Sequence, residues 1–270
     1  MRDTNDYDLE PLLTKLRPHV QALESHLTAF APRAPHWAAD VMFYGFLSES
    51  LQCTIDTLTL ATSDNPASAG HPNARLSFEA AEDALLLATS ASMAEFDRDG
   101  ALAYVFMKLE ASDLDSLLAP GDHVDYQAVA DQIEKEAKVL DGYAANSGDF
   151  IRRALAQLRA PFEAATGTLN TPPRGRFPIH WFEGKSRKLI AREIGQRTGD
   201  QKLEQELIKH YKHLSMHGHP RLRIHAFEKL SGRTATDSVD GKRGKHLAVA
   251  YALFAVSIAN TAAERWRGQQ

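Results

Sequence analysis

Five of the twelve histidines fall in one stretch, HYKHLSMHGHPRLRIH, running from His210 to His225. His210, His213 and His217 recur at spacings of four and three, and with Glu206 they would form one stripe along a helix. Three imidazoles and a carboxylate are residue types that hold a transition metal, so the stripe is a candidate metal site. Ser215 and His219 are also four apart. A hydroxyl and an imidazole placed so can satisfy each other, or line a polar cavity where the imidazole serves as a proton carrier.

A helical wheel separates these alternatives by direction. With Tyr211 at zero and ~100° per residue, Leu207, Ile208, Leu214 and Ser215 fall within about 60° of Tyr211. Glu206, His210, His213 and His217 fall at about 200° to 260°. The apolar set defines the buried face, so the histidine stripe is expected to point at water while Ser215 turns inward. The protease pattern His-Glu-x-x-His and the paired Glu-x-x-His motifs of di-iron bundles are both missing from the stretch. His219 lies over Ser215 only if the helix survives Gly218, and Gly218 and Pro220 read as a helix stop.

The elements that must position these residues are helical throughout. Leu9, Leu12, Leu13, Leu16, Val20, Leu23 and Leu27 follow three–four spacing, interrupted by Pro18. A second helix is expected from Trp37 to Leu60, with Val41, Tyr44, Leu47, Leu51, Ile55 and Leu58 inward. A third is expected from Pro72 to Phe96, and others over Leu102–Leu118, Tyr126–Leu140 and Asp149–Ala165. Ser186 is positioned as an N-cap, and the histidine helix begins near Gln201. A polar loop, SGRTATDSVDGKRGK, precedes the apolar run Leu247–Ala263. Strand-like alternation is scarce. The fold class is all-α: one multi-helix bundle with a largely buried apolar C-terminal helix. The proline-rich connection Ala165–Pro178 marks an internal boundary or a long crossing within a single domain of residues 1–270.

Composition narrows the function classes. A net charge of −4 argues against a nucleic-acid or membrane surface spread over the whole molecule, although basic residues gather at Arg174–Arg197 and Arg221–Lys245. Cys53 is the one cysteine, which leaves no disulfide framework, cysteine zinc site or CxxC motif. Leu247–Ala263 is shorter than the ~20 residues of a membrane span and is interrupted by Ser257, Asn260 and Thr261. The acidic, polar start MRDTNDYDLE is unlike a targeting peptide. A cytoplasmic protein with no membrane partner is the expectation.

Two stretches carry a resemblance. ARLSFEAAEDALLLA resembles the Arg-x-x-x-Glu helix of a bacterial all-helical family of unknown function. HWFEGKSRKLIAREIG with LIKHYKHLSMHGHP resembles its second signature: a Trp, a short loop, a helix ending in glycine, then Tyr-x-x-Leu-Ser-x-x-x-His. The matching positions are Trp181, Gly195, Tyr211, Leu214, Ser215 and His219, and the likeness covers roughly Arg75 to Pro220 with an unmatched middle. It implies an all-α fold and a shared polar constellation of Arg75, Glu79, Ser215 and His219, with Glu82 one turn beyond Glu79. Such bundles are also reminiscent of the HEPN superfamily, whose active members are metal-independent ribonucleases of toxin and phage-defence systems. Their signature has an arginine four to six residues before a histidine. Here none precedes His217 or His219 at that distance, and Lys212 is the nearest cation.

Two main readings follow. In the first, the chain is a bacterial effector acting on RNA or a nucleotide without a cofactor. His219 is then the general base, Arg75 stabilises charge on phosphate and Glu79 orients one of them. Tyr211, Trp181, Lys185 and Arg187 would contact substrate, with Arg174, Arg176 and Lys188 along the backbone. Ser215 belongs to this constellation but lacks the exposed turn of a nucleophile. In the second, the chain is a non-enzymatic helical module, with a protein partner or a second copy of itself, and the polar cluster is structural. A metal protein using His210, His213 and His217 is the third.

Overall fold

The computed structural model describes residues 8–32, 37–63, 70–118, 125–143, 146–166, 180–218 and 239–269. These contain nine helices and no strand: α1 (Glu10–Thr28), α2 (Ala38–Thr62), α3 (Gly70–Ala88), α4 (Met93–Leu118), α5 (Tyr126–Asp141), α6 (Asp149–Thr166), α7 (Arg187–Thr198), α8 (Gln201–Gly218) and α9 (Val239–Gln269). The all-α expectation is met. The chain divides into two compact units. The first holds α1, α2 from Tyr44, α3, α7 from Ala191, α8 and α9. The second holds the start of α2 to Phe43, α4, α5, α6 and the chain leading into α7 as far as Ile190. The 165–178 connection lies, from residue 167, outside the described residues.

In the first unit α3 is the central helix, and α9 is its main packing partner. Every residue from Ala80 to Ala88 is buried. Phe78 stacks on Phe254 of α9 with ring centroids 6.0 Å apart. A helix buried at its end must satisfy its last carbonyls with side chains. Arg197 donates to the Leu86 carbonyl at 3.3 Å, and Gln269 donates to the Ala88 carbonyl at 3.0 Å. α1 also packs on α9, where Asn260 donates to the His19 carbonyl at 2.9 Å. Over Gly244–Gln269, α9 is long and apolar enough to cross a membrane by length and composition, and 61% of its apolar window is buried in the protein. That is the environment of a soluble core helix.

The inward face of α2 differs from the expected one. Val41 and Tyr44 are each 41% exposed, and the buried stripe is Phe43, Leu47, Ser50, Thr54, Thr57 and Ala61. Three hydroxyl residues therefore face the core. They are tolerated because each has a partner: Ser77 of α3 is 3.2 Å from Ser50 Oγ and 2.8 Å from Thr54 Oγ1, and Thr57 donates to the Cys53 carbonyl at 2.7 Å.

Two boundaries also move. The helix expected over Pro72–Phe96 is two helices, parted at Thr89–Ser92. Thr89 Oγ1 donates to the Leu86 carbonyl, closing α3. Ser92 and Glu95 open α4 in a capping-box manner, with Glu95 N–H donating to Ser92 Oγ and Ala91 N–H donating to Glu95 Oε2. The Leu102–Leu118 helix is the later part of α4. The polar loop before the apolar run is shorter than expected, because α9 is already helical from Val239.

The α7–α8 turn sets the phase of the histidine helix. Gly199 has φ +67, its N–H donates to the Gln196 carbonyl, and the Asp200 N–H donates to the Gly195 carbonyl, which is a Schellman close. Asp200 then caps α8 by accepting from Leu203 N–H at 2.9 Å. Gly195, expected as the helix-ending glycine, sits inside α7. There its missing side chain admits Glu204, whose Cβ would lie 2.7 Å from an added Cβ.

In the second unit α4, α5 and α6 share a core of Phe96, Phe106, Leu109, Ile133, Leu158 and Phe162. Tyr104 and Lys108 of α4 both bond Glu136 of α5, at 2.6 and 3.0 Å. Arg152 of α6 binds Glu134, Asp141 and Asp149. Gly100 of α4 lies against α2, where an added Cβ would come 2.3 Å from Ala39 Cα. Backbone cannot yield as a side chain can, so Gly100→Ala is expected to cost about 3 kcal/mol in chemical denaturation. Gly199→Ala meets only positive-φ strain and is expected to cost about 1 kcal/mol. Equal losses for the two would refute the close-approach account.

Candidate functional site

Arg75, Glu79 and Glu82 follow one another at four and three residues on α3, and the stripe runs from solvent into the core. The Arg75 side chain is 37% exposed, that of Glu79 18%, and Glu82 is fully buried. Arg75 Nε donates to Glu79 Oε1 at 2.7 Å. The guanidinium carbon lies 5.7 Å from the centre of the Tyr211 ring on α8, within cation–π range. Among the described residues the two Nη groups of Arg75 have no hydrogen-bond partner. The arginine is thus held on its Nε side and beside an aromatic ring, with its Nη groups uncommitted among the described residues.

α8 presents Leu207 and Leu214 to the interior, both buried, with Ile208, Tyr211 and Ser215 at the margins. This is the face expected from the wheel. Ser215 Oγ is shielded from solvent and has no hydrogen-bond partner among the described residues. The structure therefore brings Arg75, Glu79 and Tyr211 together across α3 and α8, with Ser215 one turn along the same α8 face. His219 lies outside the described residues.

His210 departs from its expected direction. It is not turned to water: its side chain is 19% exposed and its ring lies flat on Phe254, with centroids 3.7 Å apart and planes at 16°. Tyr251 meets it edge-on at 5.8 Å. The wheel registered one buried face because it weighed α8 by its aliphatic residues. α9 covers a second flank, where a flat neutral imidazole packs as an aromatic ring does. His210 Nδ1 is 2.8 Å from the Glu206 carbonyl, and His213 Nδ1 is 3.2 Å from the Tyr251 hydroxyl. His213 remains exposed. Among the described residues no three His, Cys, Asp or Glu side chains gather as a metal site, and the His217 side chain is outside them.

The remaining expected contact residues belong to the second unit. Trp181 is buried, its ring 5.2 Å from His180 and 5.6 Å from Phe182. Lys185 pairs with Glu183 at 3.0 Å and lies 4.5 Å over the Phe182 ring. Arg187 begins α7. Arg174 and Arg176 lie outside the described residues, and Lys188 is exposed. Sequence reasoning missed Phe254 and Tyr251 as the floor beneath the histidine helix. Their signal was available as two rings three residues apart on the apolar run.

No protein-family model, curated protein or solved structure matches this chain.

Burial lowers the pKa of His210, outweighing the Glu206 carbonyl and carboxylate that raise it; Lys209 and His213 lower it further. The folded state thus favours the neutral form of His210 more than the unfolded chain, which protonates near 6.5. This contribution to stability is present above that value and is lost as pH falls from it toward the lower folded pKa. His26 is depressed in the same direction, by burial and then by Arg267, so the measurement must be differential. His210→Gln is expected to flatten the fall in stability below about pH 6.5 in urea titrations. Parallel wild-type and variant curves would refute the buried-imidazole account.

Proposed function

We propose that the chain is a cytoplasmic bacterial effector that acts on RNA or a nucleotide, of the metal-independent, HEPN-like toxin or phage-defence kind. The supporting observation is Arg75, whose side chain is 37% exposed and whose Nη groups have no hydrogen-bond partner among the described residues, while Glu79 and Tyr211 hold its other side. A guanidinium fixed in this way binds a phosphate through its fork without first having to be ordered. The buried carboxylate of Glu82 one turn deeper adds weight, because a fully buried acid is costly as a purely structural choice.

In this reading Arg75 takes two phosphate oxygens, and Glu79 and Tyr211 are positioning residues. His219, four residues beyond Ser215, removes the proton from the attacking hydroxyl or water. Ser215 offers its hydroxyl to substrate or to His219.

The sizes of the effects separate this reading from a structural one. A partly exposed i,i+4 ion pair contributes about 1 kcal/mol or less, so Arg75→Ala should barely shift the melting temperature. Loss of one preorganised charge contact to a transition state costs about 100- to 1000-fold in rate. Arg75→Ala and His219→Ala are each expected to lose at least that much RNA-cleaving or nucleotide-hydrolysing activity with melting unchanged, and Arg75→Lys should recover little, lacking the fork. Lost stability with no change in activity toward RNA or nucleotides would leave the non-enzymatic helical module, with a protein partner or a second copy, in its place.

A further inference from the structure

A cavity of about 600 Å3 opens between α4 and α6 of the second unit. It is built from one face of each helix: Ala94, Arg98 and Leu102 on α4, and Phe150, Arg153 and Gln157 on α6, with Glu95 at its side. The spacings of three and four put these side chains on one face of each helix. Its volume falls in the range of small-molecule sites.

Its charge is uneven in a way that its own residues explain. Glu95 is already committed, because one carboxylate oxygen accepts the Ala91 N–H at the start of α4 and the other accepts from Arg98. Arg98 is fixed by two bonds to the buried Asp99, at 2.9 and 2.8 Å, and by that contact to Glu95 at 3.3 Å. Its Nη1 group has no partner among the described residues. Arg153 forms no ion pair or hydrogen bond among the described residues. One preorganised guanidinium and one unpaired guanidinium thus line a single cavity. Besides Ser92 and two alanines, the lining holds the buried Leu102, the half-buried Phe150, and Gln157 one turn beyond Arg153.

We infer that this cavity is a binding site for a small organic phosphate of nucleoside-monophosphate class. Arg153 and the Nη1 group of Arg98 take the phosphate; Asp99 and Glu95 already offset the charge of Arg98, so Arg153 supplies the net attraction and Arg98 a fixed donor. The planar base lies against Phe150 and Leu102, where stacking and burial favour a ring of that size. Gln157 offers a donor and an acceptor to the base edge or ribose. This site shares no residue with the Arg75 constellation and stands whether or not that reading holds.

Isothermal titration of the full chain with AMP, GMP, CMP and UMP, alongside adenosine and inorganic phosphate, tests it. At least one nucleotide is expected to bind with a dissociation constant below about 1 mM, with adenosine and phosphate each weaker by about tenfold or more. Arg153 is exposed, so Arg153→Ala should keep the fold by melting and weaken binding about 10- to 100-fold, the scale of one charge-assisted contact. Ala94 is also exposed, and Ala94→Trp should block the cavity with a similar loss. Arg75→Ala should leave the affinity unchanged. Equal affinity for phosphate and nucleotide, unaltered binding in both cavity variants, loss of binding in Arg75→Ala, or no binding at all would each overturn the assignment.

Discussion

The first unit depends on the burial of α3. Nine consecutive residues at its end are buried, so the usual division of a helix into wet and dry faces does not apply there. Everything around it follows from that constraint. α9 supplies the apolar cover, α2 approaches through small hydroxyl residues, and the last carbonyls of α3 are met by Arg197 and Gln269. A buried helix end without those donors would forfeit the free energy of each unpaired carbonyl. α1 reaches the core through α9, whose polar interruption Asn260 serves the helix pairing directly.

The polar stripe gains its character from the same constraint. Arg75, Glu79 and Glu82 share one side of α3, but α3 sinks into the core along its length, so the three meet very different surroundings. At the shallow end the guanidinium is partly exposed; at the deep end the carboxylate is fully enclosed. α8 reaches this stripe because the Gly199–Asp200 turn fixes where the helix begins and hence which residues face α3. Tyr211 meets Arg75 as a consequence of that phase, and Ser215 follows one turn later.

The second unit is organised by contacts of a different kind. Gly100 lets the α4 backbone approach α2, and Gly148 gives the same freedom beside Ala137 of α5. Charged side chains bridge the helices at the rim, where Glu136 gathers Tyr104 and Lys108, and Arg152 gathers three carboxylates. Those ion pairs are saturated. Against them, Arg153 forms no ion pair among the described residues, and Arg98 is bound only within its own helix, to Glu95 and Asp99.

The sequence alone determined the helical class and most of the helix spans, because three–four spacing of leucines and alanines states a helix wherever its apolar side is continuous. It also determined the direction of Leu207, Tyr211, Leu214 and Ser215 on α8, since one aliphatic face fixes a wheel. Only tertiary structure decided the rest. The core face of α2 is written in Ser50, Thr54 and Thr57, residues whose burial makes sense only once Ser77 is opposite. His210 reads as a solvated imidazole until Phe254 is laid beneath it. The break between α3 and α4 is written in Ser92 and Glu95, a local capping signal set inside a longer hydrophobic period. Arg75 and Tyr211 lie more than a hundred residues apart, and no spacing along one chain reports a contact between two helices. Periodicity tells a helix which side to bury; only the partner that covers that side decides what chemistry is left exposed.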